Sequence, residues 1–193
     1  MTVFITPFWK KPELAALLLA FVFTALPAAA AQTHGIEVRS AAVTVANDHY
    51  VLEADFEIAL SAPLEEALNK GIALYFLLEF DLVRSRWYWF NSTMVALQHQ
   101  YRLSYNALTR QYRIGIGAFY QNFPNLAEAL QFMSKVRRRQ EIDAGTLSKG
   151  TDYAAALRLR LDTSQLPKPF NLNALGSRDW NIGSDWYRWT VTP

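Results

Sequence analysis

The feature that most constrains the fold is the apolar run at residues 72–83, IALYFLLEFDLV. In an extended chain successive side chains point to opposite faces, so alternate residues of this run share a face. One face is apolar throughout and contains Ile72, Leu74, Phe76, Leu78, Phe80 and Leu82. The other face is apolar at its start and acidic towards its end, where Glu79 and Asp81 lie. The pattern predicts a central β-strand that leaves a hydrophobic core for the surface.

Shorter alternating segments predict the other strands. Residues 50–60 alternate most regularly, with Glu53, Asp55 and Glu57 on the polar face, and we expect them to form a hairpin with residues 36–45. Further strands are predicted at residues 87–90, 94–106, 111–120, 152–162 and 186–191.

Two helices are predicted between the strands. The first begins at Ser61, a residue typical of helix N-caps, and ends at Gly71. The second covers residues 124–138, where apolar side chains recur every three or four positions and Pro124 suits the first turn. Because strands and helices do not alternate, we predict a mainly β fold. It is an antiparallel β-sandwich or strongly curved sheet of seven to eight strands with two inserted helices.

The N-terminal segment has the layout of a secretory signal peptide, which would form a helix ahead of the β-rich domain. Lys10 and Lys11 precede an apolar stretch at residues 14–26, and Ala29 and Ala31 fit the small-residue pattern of a cleavage site. We therefore predict export to the periplasm. The alternative is an uncleaved segment that anchors the chain in the inner membrane and is its only membrane contact.

The predicted organisation is a signal peptide at residues 1–31 and a single domain at residues 32–193. Without Lys10, Lys11 and Glu13, the chain has 17 basic and 16 acidic residues, and it contains no cysteine. So small a net charge gives no general attraction for nucleic acid. Without cysteine the fold has no disulfide and depends on its hydrophobic core.

Signatures of catalysis and metal binding are missing from the sequence. The three histidines, His34, His49 and His99, form no cluster of the kind that zinc requires. No nucleophile elbow, phosphate-binding loop or dinucleotide-binding glycine pattern occurs. We therefore predict that the protein is not an enzyme and binds neither a cofactor nor a metal.

Glu79 and Asp81 are the alternative catalytic pair, because two carboxylates near the end of a strand suit a glycosidase-type hydrolase. Arg84 and Arg86 follow at once, however, and would make the same carboxylates part of an ordinary surface ion network.

The three carboxylates on the polar face of residues 50–60 lie about 7 Å apart in a strand. A calcium site needs oxygen ligands that converge from a loop, which a strand does not provide. We expect these carboxylates instead to be solvated and paired with basic residues such as Arg39 on the neighbouring strand.

A basic cluster lies at the end of the second predicted helix, at Lys135, Arg137, Arg138 and Arg139. Cations are favourable near the negative end of a helix, which gives the cluster a structural role. The functional alternative is contact with membrane head groups or an acidic partner.

Aromatic residues give the strongest indication of a binding surface. Trp, Tyr and Arg are enriched in binding hot spots, although a cysteine-free β domain also needs large core residues. The candidate binding surface consists of Trp180, Trp186, Tyr187, Arg188, Trp189 and Arg178, with Trp87 and Trp89 as a secondary candidate.

Three long motifs resemble a known family. They are RSRWYWF at residues 84–90, YRLSYNALTRQYRI at residues 101–114, and RLRLDTSQLPKPFNLNALGSRDWNIGSDWYRWTVT at residues 158–192. Together with the leading signal peptide they resemble the exported bacterial family known as domain of unknown function 4390, over essentially the whole of residues 32–193. The resemblance implies a bacterial exported protein, and it transfers no functional residues.

The leading functional hypothesis is a non-catalytic binding module of the bacterial cell envelope that acts on an envelope protein partner. The alternative is a carrier that holds a lipid or sugar between its sheets. A carrier requires an apolar or aromatic-lined cavity of several hundred Å³.

Overall fold

The computed structural model describes residues 35–46, 49–84, 92–143, 147–168, 170 and 177–193. The predicted signal peptide and the predicted strand at residues 87–90 lie outside these ranges. Within them, no helix has the length and apolar character needed to cross a membrane.

Strands dominate the described residues. In chain order the elements are β1 (Gly35–Ala46), β2 (His49–Ala59), α1 (Ala62–Asn69), β3 (Leu74–Arg84), β4 (Ser92–Asn106), β5 (Gln111–Ile116), β6 (Phe119–Phe123), α2 (Leu126–Ser134), β7 (Lys135–Asp143), β8 (Tyr153–Leu161), single 3-10 turns at Thr163–Gln165 and Arg178–Trp180, and β9 (Tyr187–Val191).

These strands form two sheets in which all neighbours are antiparallel. The smaller sheet has the order β1-β2-β7, and the larger sheet has the order β6-β5-β4-β3-β8-β9. The predicted mainly β fold with antiparallel sheets and two inserted helices is confirmed. The described residues contain nine strands, rather than the seven to eight predicted.

β3 lies in the middle of the larger sheet, between β4 and β8, as its apolar face predicts. Leu74, Phe76, Leu78, Phe80 and Leu82 are each at most 2% exposed. They belong to one hydrophobic core that also contains residues of the smaller sheet and of both helices. The two sheets are therefore held together by a shared apolar interior.

The segment predicted as one strand at residues 111–120 is in fact two strands, β5 and β6. Gly117 has a φ of 59°, in the left-handed region that glycine adopts at little cost, and with Ala118 it forms a two-residue hairpin turn. Gly115, two residues earlier, stays inside β5 opposite Arg102.

The second helix is shorter than predicted, because α2 ends at Ser134 and β7 follows directly. Val136 lies three residues after Met133 and so extends the helical apolar stripe by spacing alone. In the structure Val136 is buried between the exposed residues Lys135 and Arg137, which is the alternation of a strand. Pairing with β2 supplies backbone hydrogen bonds that override the local helical pattern.

The helix caps also differ from the prediction. Ser61 occupies the N-cap position of α1, but its hydroxyl donates to the carbonyl of Asp179 at 2.5 Å and makes no cap hydrogen bond. Asn125 is the N-cap of α2 and Pro124 lies outside the helix; the Asn125 side chain accepts a hydrogen bond from the Glu128 amide at 2.9 Å. Ser61 thus ties the start of α1 to the C-terminal part of the chain.

The C-terminal segment continues along the edge of β8 before β9 begins. The amide of Leu161 donates to Ile182 and the amide of Ser184 donates to Leu159, each at 2.9 Å, around an isolated bridge between Arg160 and Gly183. Between this bridge and the first pair of β9, the three residues 184–186 lie opposite only two residues of β8, 158 and 159. The C-terminal segment therefore contains one extra residue here, as in a β-bulge.

Gly183 permits this close approach, and we expect Gly183→Ala to destabilise the protein by about 1–3 kcal/mol. A Cβ at this position would lie 2.9 Å from Cβ of Arg160 and 3.4 Å from its Cα. Gly115→Ala is the control, because its nearest contact is an ordinary 3.7 Å. Urea denaturation of both variants measures the difference, and equal stabilities would contradict the prediction.

Candidate functional site

The predicted C-terminal binding surface does not form one surface. Trp180 is only 9% exposed, and its ring lies 5.4 Å from that of Phe170. This position fits the alternative that Trp180 is a core residue, so Trp180 is not available to a partner. The side chain of Arg178 and the residues Trp87 and Trp89 lie outside the described part of the chain.

The candidate residues of β9 point to opposite faces of the larger sheet. Trp189 faces inward, opposite Ala155, and its ring lies 6.0 Å from Phe80 and 5.8 Å from Tyr187. Arg188 alternates with them and is exposed on the outer face. A partner on one side of β9 therefore contacts only part of the predicted set.

Trp186 belongs to an ion-pair cluster on the outer face that the sequence analysis did not predict. The guanidinium of Arg158 lies 4.4 Å from the centre of the Trp186 ring. Nε of Arg158 donates to Oε2 of Glu79 at 2.5 Å, and Nε of Arg160 donates to the same oxygen at 3.0 Å. Glu79 itself is buried, with 8% of its surface exposed.

The cluster corrects the predicted surroundings of Glu79. Its partners among the described residues are Arg158 and Arg160 on β8 and do not include Arg84, because β8 pairs directly with β3. Arg86 lies outside the described ranges. Burial raises the pKa of the Glu79 carboxyl, but the two arginine hydrogen bonds outweigh it and hold the pKa below its ordinary value. Glu79 is thus ionised at neutral pH, which does not suit the proton donor of a hydrolase.

The predicted pairing of the carboxylate row on β2 with basic residues is confirmed for Glu57 and Glu53, whereas Asp55 accepts a hydrogen bond from the hydroxyl of Ser40 at 3.3 Å. The Arg39 side chain donates to Glu57 and also reaches Glu37 at 3.3 Å, while Arg137 of β7 lies 4.0 Å from Glu53. In the described ranges no three acidic, histidine or cysteine side chains form a group suited to a metal ion.

The basic cluster lies on β7 rather than in the last turn of a helix, although Lys135 is also the C-cap residue of α2. Lys135 is in register with Asp55 and Arg137 with Glu53, which places both on the outward-facing side of an edge strand. Arg138 pairs with Leu52 and Arg139 with Val51 of β2, and the side chains of both arginines lie outside the described part of the chain.

An open cleft of about 780 Å³ lies at the edge of the two sheets and is bordered by β5, β6, α2 and the edge strand β7. Its apolar walls come from both sheets and from α2, and they consist of Tyr101, Ile116, Phe119, Phe132 and Val136. Gln131, Lys135 and Arg137 also line it. We call this space the inter-sheet cleft.

Two phenylalanines of the inter-sheet cleft are exposed to solvent. Phe119 begins β6 directly after the hairpin turn and is 84% exposed, and Phe132 on α2 is 38% exposed. Phe132 is held by Phe123, whose ring lies 5.2 Å away. Solvent-exposed aromatic side chains around a cleft are typical of a binding site.

This cleft was not predicted, because β6 and β7, two of the strands that build it, were not predicted as separate strands. Gly117-Ala118 between two alternating segments was the available signal for the hairpin that places Phe119 at the cleft. The start of β7 had no comparable local signal, since it follows α2 without a break.

Comparison with known proteins gives one match. Residues 33–190 match the family described as Domain of unknown function (DUF4390). No curated protein and no solved structure is significantly similar to the chain.

The buried ion cluster makes stability depend on pH. We expect Glu79→Gln to lower the free energy of unfolding by about 2 kcal/mol at pH 7, because it removes hydrogen bonds between charged groups. The pKa of Glu79 in the folded protein lies below the value of about 4.3 in an unfolded chain. Its stabilising contribution is therefore complete above about pH 5 and is lost as the pH falls through the folded-state pKa.

Urea denaturation of the wild type and the Glu79→Gln variant between about pH 3 and pH 7 tests this dependence. The stability difference should shrink at the acidic end. Asp81→Asn is the matched control, since Asp81 lies on the same face of β3 and forms no ion pair with a described residue. A difference that does not change with pH would contradict the assignment.

Proposed function

The chain belongs to the family described as Domain of unknown function (DUF4390), and we propose that it is an exported, non-catalytic binding module of the bacterial cell envelope. The ligand that we propose is an elongated apolar molecule with an anionic head group, held in the inter-sheet cleft. The observation that carries this proposal is the composition of the cleft, which combines apolar walls with cations and contains no carboxylate among its described residues.

The apolar walls support a ligand with a hydrocarbon part. A volume of about 780 Å³ falls in the range of small-molecule sites, which are mostly apolar with a few polar groups. Full burial of a phenylalanine side chain stabilises a complex by about 1.5–3 kcal/mol, and Phe119 is at present almost fully exposed. Covering it is therefore a substantial source of binding energy.

The cations support an anionic head group. No described carboxylate lies within ion-pair distance of Lys135. Arg137 meets Glu53 only at 4.0 Å, and its side chain is 81% exposed. Both cations can therefore turn to a carboxylate or phosphate on the ligand without breaking a strong ion pair.

Two further observations support the remaining parts of the proposal. The signal-peptide pattern at residues 1–31 favours export. The low pKa of Glu79 disfavours hydrolysis by the Glu79 and Asp81 pair. An envelope protein partner at Trp186 and Tyr187 stays a prediction.

Displacement of a bound fluorescent fatty acid, dansyl-undecanoate, tests the proposal. The protein is expressed with its N-terminal segment in a bacterial host, and the exported chain is purified for the measurement. Oleate should displace the probe, and Lys135→Gln/Arg137→Gln should weaken oleate binding about tenfold, or about 1.4 kcal/mol. The same variant should bind oleyl alcohol as the wild type does, because that ligand has no charge. Phe119→Ala/Phe132→Ala should weaken the binding of both ligands.

Lys149→Gln/Lys168→Gln is the matched control, since it removes two exposed cations that do not line the cleft. It should bind both ligands as the wild type does. Failure of the wild type to bind oleate, or equal loss in the control and the cleft variant, would overturn the proposal.

A further inference from the structure

We propose that the protein has a second binding site, for an acidic saccharide, on the outer face of the larger sheet. The site is a groove of about 450 Å³ across β3, β4, β5 and β6, which we call the outer groove. It does not depend on a ligand in the inter-sheet cleft.

Strand register builds the floor of the outer groove. Tyr120 on β6, Gly115 on β5, Arg102 on β4 and Tyr75 on β3 are successive partners in one row across the sheet. Because neighbouring strands lie about 4.8 Å apart, the two tyrosines are separated by about 14 Å. Gly115 has no side chain, so the row has a gap between Tyr120 and Arg102.

Two arginines border this gap, and each lies over an aromatic ring. The guanidinium of Arg113 is 4.6 Å from the centre of the Tyr120 ring, and that of Arg102 is 5.9 Å from the centre of the Tyr75 ring. Nε of Arg113 also donates to Oδ1 of Asn122 at 2.9 Å. Both guanidinium groups therefore lie at the groove, and that of Arg113 is fixed by a hydrogen bond as well.

No described carboxylate compensates the charge of the outer groove. None of its described residues is a carboxylate, and neither Arg102 nor Arg113 forms an ion pair with a described residue. On the smaller sheet, by contrast, Arg39 and Arg137 are each within ion-pair distance of a carboxylate. Guanidinium groups bind carboxylate and sulfate-like groups with two parallel hydrogen bonds, so the outer groove suits an anion.

The neighbouring polar groups favour a ligand rich in hydroxyl groups. Gln98, Gln100 and Ser104 line the outer groove, and the two glutamines are exposed. Amide and hydroxyl side chains both donate and accept hydrogen bonds, as sugar hydroxyls do. A saccharide that carries acidic groups therefore matches both the cations and the amides of the groove.

A nucleic acid fits less well than a saccharide. Binding along a phosphate backbone uses a continuous row of cations, whereas this groove contains only Arg102 and Arg113 in its described lining. The whole chain has a net charge of only +2, which gives little long-range attraction for a polyanion.

Isothermal titration calorimetry of the exported chain tests the site, with tetragalacturonic acid as the acidic probe and maltotetraose as the neutral one. The acidic probe should bind at least tenfold more tightly than the neutral probe, because only it engages the guanidinium groups. Arg102→Gln/Arg113→Gln should weaken binding of the acidic probe about tenfold. Gly115→Val should weaken it as well by filling the gap in the row, and a thermal melt confirms that each variant is folded.

Two controls separate this site from others. The variant Arg188→Gln/Lys149→Gln removes two exposed cations outside the groove. The variant Lys135→Gln/Arg137→Gln alters only the inter-sheet cleft. Both variants should bind the acidic probe as the wild type does. Equal affinity for both saccharides, unchanged binding in Arg102→Gln/Arg113→Gln, or tighter binding of an oligothymidylate or of tripolyphosphate would overturn the proposal.

Discussion

Burial of the inner face of β3 is the interaction on which the rest of the structure depends. Its five apolar side chains are almost completely covered, and each contributes about 1.5–3 kcal/mol when removed from water. That burial requires β4 on one side, β8 on the other, and the smaller sheet across the core. Because the chain has no disulfide, this shared interior is what keeps the two sheets together.

The unequal lengths of the strands explain where the sites lie. β5 pairs only with the last part of β4, from Tyr101 to Asn106, and among the described strands nothing pairs with residues 92–100 on that side. The β5–β6 hairpin therefore extends the larger sheet along only part of β4, and the space beside the hairpin is open. Phe119 and Ile116 at the end of this hairpin line both the inter-sheet cleft and the outer groove. One short hairpin thus gives rise to an apolar space on its inner side and a polar, cationic one on its outer side.

The alternation of apolar and polar residues along the chain was enough to predict most of the strands, including the hairpin of β1 with β2 and the central position of β3. It failed where tertiary pairing decides the outcome. Val136 fits a helical stripe and a strand equally well, and only the neighbouring β2 selects the strand. The pairing of Glu79 with Arg158 and Arg160 was equally hidden, because those residues are about 80 positions apart and meet through sheet register. Both candidate sites depend on such non-local pairings, so neither was visible in the sequence.

The position of β8 has a consequence for how the chain folds. β3 and β4 are hairpin neighbours, but the other edge of β3 stays open until residues 153–161 arrive. β9, the contacts of Gly183 and the bond between Ser61 and Asp179 come from still later residues. Pairings so distant in sequence carry a large loop-closure entropy, which slows folding in β-rich proteins. A chain that lacks residues 153–161 therefore leaves one edge of β3 unpaired and part of its apolar face uncovered.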